Sequence, residues 1–396
     1  MRTLLFYIYL VIAVSFIGCE PISKQKDTNL HLERAQQLLD SLYSHFSIAH
    51  TCLLRETYPY NEKHTVPYLA AEEQANMPNP YSYLWPYSGT FSAVNALWRT
   101  TKDEKYQRIF TERILPGLSE YYDSVRTPNA YSSYVQSAPI SDRYYDDNIW
   151  IGLNFIDIYQ LTKNKDYLNK ATLLWNFVET GSDEALGGGI YWNEQQKTTK
   201  NTCSNAPGAV FAFKLFKATN DSAYFTKGKA LYQWTKEHLQ DTIDHLYFDH
   251  MRLDGKIGKA KYAYNSGQMM QAATLLYQFT GDMSYLKEAQ LIAKECYEYF
   301  FTDFTSPSAK TFKMLKSGDI WFAAVLLRGL IDLYHLDKNR IYINTYDTCL
   351  DYAWNNARDK NGLFNTDLSG TIKNKEKWLL TQAAMVEMYS RLAAIK

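Results

Sequence analysis

The amino-acid sequence predicts an all-α fold in which about six inner and six outer helices form a toroid, an (α/α)6 barrel. Three observations lead to this prediction. Apolar residues follow helical spacing along almost the whole chain of 396 residues, and no long alternating strand pattern competes with them. A turn motif recurs with an even period. The helices before and after each of these turns also differ in how their apolar residues are distributed.

The first residues resemble a bacterial lipoprotein signal. An apolar run at residues 4–17 is too short for a transmembrane helix, and Gly18 stands directly before Cys19. We therefore predict that residues 1–18 are a signal peptide, that Cys19 becomes a lipidated N-terminus, and that residues 19–30 form a polar tether. The protein would then be anchored to a membrane of the bacterial cell envelope, which we expect to be the outer membrane. Plain secretion and an uncleaved anchor are the alternatives.

Residues 31–396 are predicted to form one domain of repeated helix pairs. Five similar segments each end one helix, turn through polar residues and begin the next helix with a tyrosine. Successive tyrosines are 61, 57, 61 and 57 residues apart, which fits a unit of two helices and two loops. These five residues are Tyr106, Tyr167, Tyr224, Tyr285 and Tyr342.

The two helices of each unit differ in their apolar pattern. The helix before the turn is apolar almost all round, as in NIWIGLNFIDIYQL, which indicates burial on every side. The helix after it has one apolar stripe, as in DYLNKATLLWNFVE, which is typical of a surface helix. LERAQQLLDSLYSHF near the start and EKWLLTQAAMVEMYSRL at the end complete six pairs. The alternative, an open solenoid, would expose the inner helices to water.

Inner helices that run roughly parallel bring their N-terminal ends to one mouth of the barrel. The segments that precede them share tyrosine, tryptophan, asparagine, glycine and charged residues. Helix capping explains part of this composition. Aromatic and polar groups over an apolar floor also form a pocket that suits a carbohydrate. The segments are YLWPYSGT (83–90), DRYYDDN (142–148), KNTCSNAPG (200–208), KYAYNSGQ (261–268) and KSGDIW (316–321).

Two adjacent carboxylates, Asp146 and Asp147, open one of the most apolar helices. Neighbouring side chains at a helix entry can place their carboxyl groups roughly 5 Å apart, and retaining glycosidases need about that separation. Two acids this close do not ionise independently, which leaves one as a nucleophile and the other as a proton donor. The alternative is that acidic residues in a first turn only stabilise the helix dipole.

The sequence resembles glycoside hydrolase family 76, the bacterial endo-α-1,6-mannanases, over most of the chain after the tether. The most specific match is YYDDNIWIGL (144–153), with support from three further stretches. These are LWPYS (84–88), NTCSNAPGAVFAFKLFKATND (201–221) and YAYNSGQMMQAATLLYQFTGD (262–282).

The resemblance implies an (α/α)6 barrel that cleaves the α-1,6-mannose backbone of fungal-type mannan with retention of configuration. It also implies that Asp146 is the nucleophile and Asp147 the acid/base. Six further residues at the predicted mouth are candidates for sugar contacts, although a role in holding the loops is an equal alternative for each. They are Trp85, Tyr145, Trp150, Asn205, Asp249 and Asn265.

Composition narrows the possible partners. The formal charge balances to zero, which argues against binding nucleic acid. The four remaining cysteines have no metal-ligand spacing, so we expect no metal or organic cofactor, and a disulfide stays open. We expect a monomer that binds α-mannan or α-1,6-manno-oligosaccharides. The cysteines are Cys52, Cys203, Cys296 and Cys349.

Two alternative functions remain at this stage. An unsaturated-uronyl hydrolase has the same type of barrel, but its anionic sugars require cationic residues at the mouth, where Arg143 and Lys261 are the candidates. A non-catalytic glycan-binding lipoprotein would need the aromatic residues but not both aspartates. Turnover of mannan oligosaccharides separates this binding protein from an enzyme.

Overall fold

The computed structural model describes residues 22–62 and 79–395, with side chains from residue 30 onward. The predicted signal peptide and Cys19 lie outside the described residues. The first helix begins at Ile22, so part of the segment that we predicted as a polar tether, residues 19–30, has a helical backbone. Among the described helices, none combines the length and apolar character needed to cross a membrane.

Helices dominate the described chain, and they alternate between two concentric rings. A π-helical segment, Phe110–Ile114, joins two short helices, Glu104–Ile109 and Leu115–Ser119, into one element of the outer ring. In chain order the helices are α1 (Ile22–Phe46), α2 (Leu84–Thr101), α3 (Glu104–Ile109), α4 (Leu115–Ser119), α5 (Tyr145–Thr162), α6 (Lys165–Glu179), α7 (Thr202–Thr219), α8 (Ser222–Leu239), α9 (Ala263–Thr280), α10 (Met283–Phe300), α11 (Ile320–Asp337), α12 (Ile341–Asn356) and α13 (Leu379–Ala393).

The inner ring consists of α2, α5, α7, α9, α11 and α13, each packed against the next. The ring closes because α13 packs against α2 as well as α11. The inner helices are buried on nearly all sides, whereas outer helices such as α6 and α10 bury a single stripe. The structure therefore confirms the predicted (α/α)6 barrel, and it excludes the open solenoid.

The repeated turn explains the even period of the sequence. Five inner helices end one residue before a left-handed residue: Lys102, Lys163, Asn220, Gly281 and Lys338. The aspartate or asparagine that follows caps the next outer helix in four of these turns, accepting a hydrogen bond of 2.7–2.9 Å from the backbone N–H two residues later. The turn is therefore specified locally, by a sharp helix stop followed at once by a helix start.

The described residues include nine short strands, which lie in the connections before the inner helices. The sequence analysis did not predict them because each has only two to five residues. One pair of them does have a sequence signal: between the strands Phe248–Arg252 and Ile257–Lys261, Asp254 is followed by Gly255, which has a φ of 82° and is typical of a hairpin turn. The strands are β1 (Thr57–Tyr58), β2 (Tyr122–Asp123), β3 (Ala130–Tyr131), β4 (Thr199–Asn201), β5 (Phe248–Arg252), β6 (Ile257–Lys261), β7 (Phe301–Thr305), β8 (Thr311–Leu315) and β9 (Lys377–Trp378).

The strands form small antiparallel sheets that border one mouth of the barrel. Strands β4, β5 and β6 make a three-stranded sheet, and β7 pairs with β8. Pairing of β1 with β9 joins the two ends of the chain, with Thr57 opposite Trp378. Since β4, β6, β8 and β9 come just before inner helices, these sheets set where those helices begin.

Close backbone contact between α9 and α11 gives a test of the inner ring. A Cβ atom added at Gly329 would lie 2.5 Å from the carbonyl oxygen of Gly267, which cannot move without shifting α9. We expect Gly329→Ala to lower the free energy of unfolding by about 1–3 kcal/mol, although alanine favours helix more than glycine. Denaturant unfolding measures the change. Gly318→Ala is the control, because a Cβ there meets no atom within 4 Å, and equal stability of the two variants would contradict this packing.

Candidate active site

A cleft of about 580 Å³ opens at the mouth where the inner helices begin. Nine of the twenty described residues that line it are aromatic. Trp150 and Trp321 meet edge to face with ring centroids 4.9 Å apart, and Trp85 meets Trp321 in the same way at 5.5 Å. The aromatic lining consists of Tyr83, Trp85, Tyr144, Trp150, Trp192, Tyr262, Tyr264, Trp321 and Phe322.

Asp146 and Asp147 both line this cleft from the first turn of α5. Neither residue caps the helix, because the N-cap position is Tyr144 and its side chain makes no cap hydrogen bond. The next residue, Asn148, fixes the helix entry: its side-chain amide donates to the carbonyl oxygens of Tyr131 and Tyr144 at 3.0 and 2.9 Å. Asn148 therefore fixes the helix entry, and both carboxylates of the first turn lie at the cleft.

Burial raises the pKa of Asp146 to about 7. A hydrogen bond from Trp192 Nε1 to Asp146 Oδ2, 3.2 Å long, favours the ionised form and opposes this rise. Burial and the neighbouring charge of Asp146 together raise the pKa of Asp147 well above the usual range. The two acids therefore titrate as a coupled pair, and the hydrogen bond from Trp192 favours the charge on Asp146.

Glu387, a carboxylate deeper in the barrel that is paired with two arginines, behaves in the opposite way. Glu387 is fully buried, yet Arg328 and Arg391 outweigh the effect of burial and keep its pKa below the usual value. No lysine or arginine is among the described residues that line the cleft around Asp146 and Asp147. One buried and one half-buried acid, with no cation among the described lining residues, are costly for stability, and such arrangements are concentrated at functional sites.

The structure brings together five of the eight predicted catalytic and sugar-binding residues. Asp146, Asp147, Trp85, Trp150 and Asp249 all line the cleft. Asp249 lies on β5, and its carboxylate is 2.8 Å from His250 Nδ1.

The other three predicted residues lie outside the cleft. Tyr145 packs against Phe177, with ring centroids 4.8 Å apart, since its side chain projects from a different face of α5 than Asp146 does. Asn205 accepts a hydrogen bond from the backbone N–H of Ile190 at 2.6 Å and donates to the carbonyl oxygen of the same residue at 2.9 Å. Asn265 is fully buried within α9. Tyr145 and Asn205 thus make contacts inside the fold, whereas neither side-chain amide atom of Asn265 has a hydrogen-bond partner among the described residues.

Several lining residues were not singled out from the sequence. Trp192 comes from the loop between α6 and α7, outside the mouth segments, and His250 comes from a strand that was not predicted. Tyr264 and Trp321 belong to segments recognised as part of the mouth, but helical spacing alone does not tell which of their aromatic side chains face the cavity. Cys203 also lines the cleft, and it is one of four free thiols among the described cysteines.

The cationic residues predicted at the mouth are engaged in ion pairs. Arg143 is 1% exposed, and its Nε donates to Glu194 at 2.6 Å. Lys261 Nζ lies 2.6 Å from carboxylate oxygens of both Asp241 and Asp244. Neither side chain lines the cleft, and the described lining residues include no other lysine or arginine that could pair with an anionic sugar.

Comparison with known proteins identifies the family. The model of glycosyl hydrolase family 76 matches residues 41–311. A family 76 glycoside hydrolase from Bacteroides thetaiotaomicron VPI-5482, described as a mannosidase, is 33% identical, with a TM-score of 0.84 over 92% of this chain and 98% of that chain. A second family 76 structure, from a bovine strain of the same species, is 32% identical, with a TM-score of 0.83 over 92% of this chain and 77% of that one.

A third structure shares the fold at lower identity. It is an inactive variant of an α-1,6-mannanase from Salegentibacter sp. HEL1_6 in complex with α-1,6-mannotriose, 22% identical, with a TM-score of 0.73 over 92% of this chain and all of that one. A comparison with curated proteins gives no significant match. From the match of the family model and the two relatives above 30% identity, the chain belongs to glycosyl hydrolase family 76 and is a glycoside hydrolase.

Proposed function

We propose that this protein is an endo-acting α-1,6-mannanase that hydrolyses the backbone of fungal-type mannan by a retaining mechanism. The observation that carries the proposal is the adjacent pair Asp146 and Asp147, which lie in an aromatic cleft with no lysine or arginine among its described lining residues. Its relatives support the substrate, since one is described as a mannosidase and another as an α-1,6-mannanase. The inactive forms of that α-1,6-mannanase carry replacements of two adjacent aspartates.

The proposed roles follow from the electrostatics of the pair. The hydrogen bond from Trp192 favours the charge on Asp146, so Asp146 attacks the anomeric carbon and forms a covalent glycosyl-enzyme. Asp147 holds its proton and donates it to the glycosidic oxygen of the leaving chain. After this first step Asp147 is a carboxylate, and it accepts a proton from the water that releases the sugar with its original configuration.

The aromatic lining supports a neutral polysaccharide as the substrate. Aromatic faces pack against the apolar faces of sugar rings, and Asp249 and Asn201 add polar groups that can bind hydroxyls. Because the cleft has no lysine or arginine among its described lining residues, a uronic acid would gain no ion pair there.

We also propose that the protein is attached to the cell envelope through a lipid on Cys19, because Gly18 and Cys19 follow a short apolar run. A Cys19→Ala variant should then leave the membrane fraction, whereas Cys52→Ala should not. Fractionation followed by mass spectrometry of the N-terminus measures both effects. Continued membrane attachment of Cys19→Ala would contradict the proposal.

Replacing the two aspartates by alanine should affect activity in different ways. Asp146→Ala should lose more than about 10⁴-fold in kcat on every substrate, since no covalent intermediate can form. Asp147→Ala should lose about 10²–10⁴-fold on mannan, but its first step should recover with an aryl α-1,6-mannoside whose leaving group needs no proton. Pre-steady-state kinetics should then show a burst followed by slow turnover.

Asp166→Ala is the control, because Asp166 also lies in a first helical turn, but on the exposed face of α6. It should retain full activity. NMR of the early products should show the α-anomer first. Early appearance of the β-anomer, or near-native rates in both active-site variants, would contradict the proposed mechanism.

The hydrogen bond from Trp192 predicts a shift in pH dependence. The acidic limb of the kcat/KM profile reports ionisation of Asp146, whose pKa of about 7 is held down in part by Trp192. Trp192→Phe keeps an aromatic ring but removes the donor, so the pKa should rise and the acidic limb should move to higher pH. Trp321→Phe is the control, since Trp321 lines the same cleft and its Nε1 makes no hydrogen bond. Equal profiles for the two variants would show that Trp192 does not tune Asp146.

A further inference from the structure

A second, smaller groove of about 260 Å³ lies beside the active-site cleft. The two share one residue, Tyr83, which lines both. The groove is formed by the segment before α2 and by the loop between β3 and α5, so its walls come from elements that also border the cleft. A polymer chain that leaves the cleft past Tyr83 would enter this groove.

The groove presents aromatic faces in a fixed arrangement. Tyr81 and Tyr134 line it and are half-buried, and the ring of Tyr134 lies 4.8 Å from that of Tyr83. The hydroxyl of Tyr134 accepts a hydrogen bond from the backbone N–H of Tyr81 at 3.3 Å. The backbone N–H of Tyr134 donates to Ser141 Oγ at 2.9 Å. The rings are therefore positioned before any ligand binds, which lowers the entropic cost of binding.

Asn79 gives an independent indication of a ligand. Its side chain is 3% exposed and lines the groove, yet within the described part of the chain its Nδ2 donates no hydrogen bond. A buried donor without a partner costs free energy, and a bound ligand is one way to satisfy it. Rotation of the Asn79 amide toward the groove that it lines would let a sugar hydroxyl or ring oxygen accept this hydrogen bond.

We propose that this groove is a remote subsite that binds a sugar unit of the same mannan chain whose scissile bond lies at Asp146 and Asp147. The inference rests on the proposed function. It adds that chains long enough to pass Tyr83 bind more tightly than short ones, and that Tyr134 and Asn79 provide the stacking face and the hydrogen bond.

A length series of linear α-1,6-manno-oligosaccharides tests this subsite. For Tyr134→Ala, kcat/KM should equal the wild-type value on the shortest substrates and should fall about fivefold to tenfold beyond a threshold length, as expected from the loss of one aromatic partner. The loss should be in KM, with kcat unchanged. Tyr134→Phe keeps the stacking face and should retain most of the wild-type preference for long chains.

Asn79→Ala separates a binding role from a structural one. If the Asn79 amide binds the ligand, its removal should lower kcat/KM for long chains. The melting temperature should stay equal or rise, because a buried unpaired group has been deleted. A structural role would instead lower the melting temperature and affect all lengths alike.

Tyr122→Ala is the matched control. Tyr122 lines a different groove, of about 280 Å³, that shares no residue with the active-site cleft, so this variant should keep the wild-type length dependence. Active protein in which Tyr134→Ala lowers kcat/KM equally at every length, or at none, would overturn the remote subsite. Absence of activity on all α-1,6-mannosides in the wild-type protein would instead overturn the proposed function.

Discussion

Closure of the inner ring sets where the six inner helices begin and brings the connections before them together at one mouth. Helix α13 packs against α2 and α11 on the inside and against α1 on the outside, so the two ends of the described chain meet. Pairing of β1 with β9 repeats this junction at the mouth. Because all six inner helices must fit around one axis, their N-terminal ends converge, and the connections before them are brought into a single cleft. The site is thus a consequence of the closed topology and does not belong to any one repeat.

Carboxylates inside the fold have different surroundings at the two ends of the barrel. At the end away from the cleft, Asp157 is buried but paired with Arg99 and Lys214 at 2.8 Å each, and these cations outweigh burial and lower its pKa. At the mouth, Asp146 and Asp147 have raised pKa values. Their folded-state pKa values exceed the unfolded ones, so the pair destabilises the fold progressively as the pH rises from about 4 through 7 and beyond. Holding these two acids together therefore lowers the free energy of unfolding at neutral pH.

A thin aromatic layer separates these two regions. Trp150 lines the floor of the cleft, and the guanidinium of Arg328 lies 5.6 Å from its ring centroid. Arg328 is in turn fixed by Glu387, which accepts hydrogen bonds of 2.6 and 2.7 Å from it. The predicted apolar floor is thus an aromatic floor backed by an ion-pair network. Rigid support of this kind favours precise placement of the carboxylates, which a reaction at the anomeric carbon requires.

Local residue patterns are enough to predict the helices, their pairing and the candidate catalytic pair. Inner and outer helices differ in apolar periodicity, the repeated turn combines a left-handed residue with a capping aspartate or asparagine, and Asp146 and Asp147 are adjacent in the chain. Which side chains share the cleft with this pair depends on the tertiary packing. Rotation about α5 turns Tyr145 toward Phe177, and the loop before α7 brings Trp192 to Asp146 across 46 residues of chain. Such contacts depend on how each helix is rotated about its axis and on how the loops pack around the closed ring. A local pattern of residues predicts neither the rotation nor the loop packing.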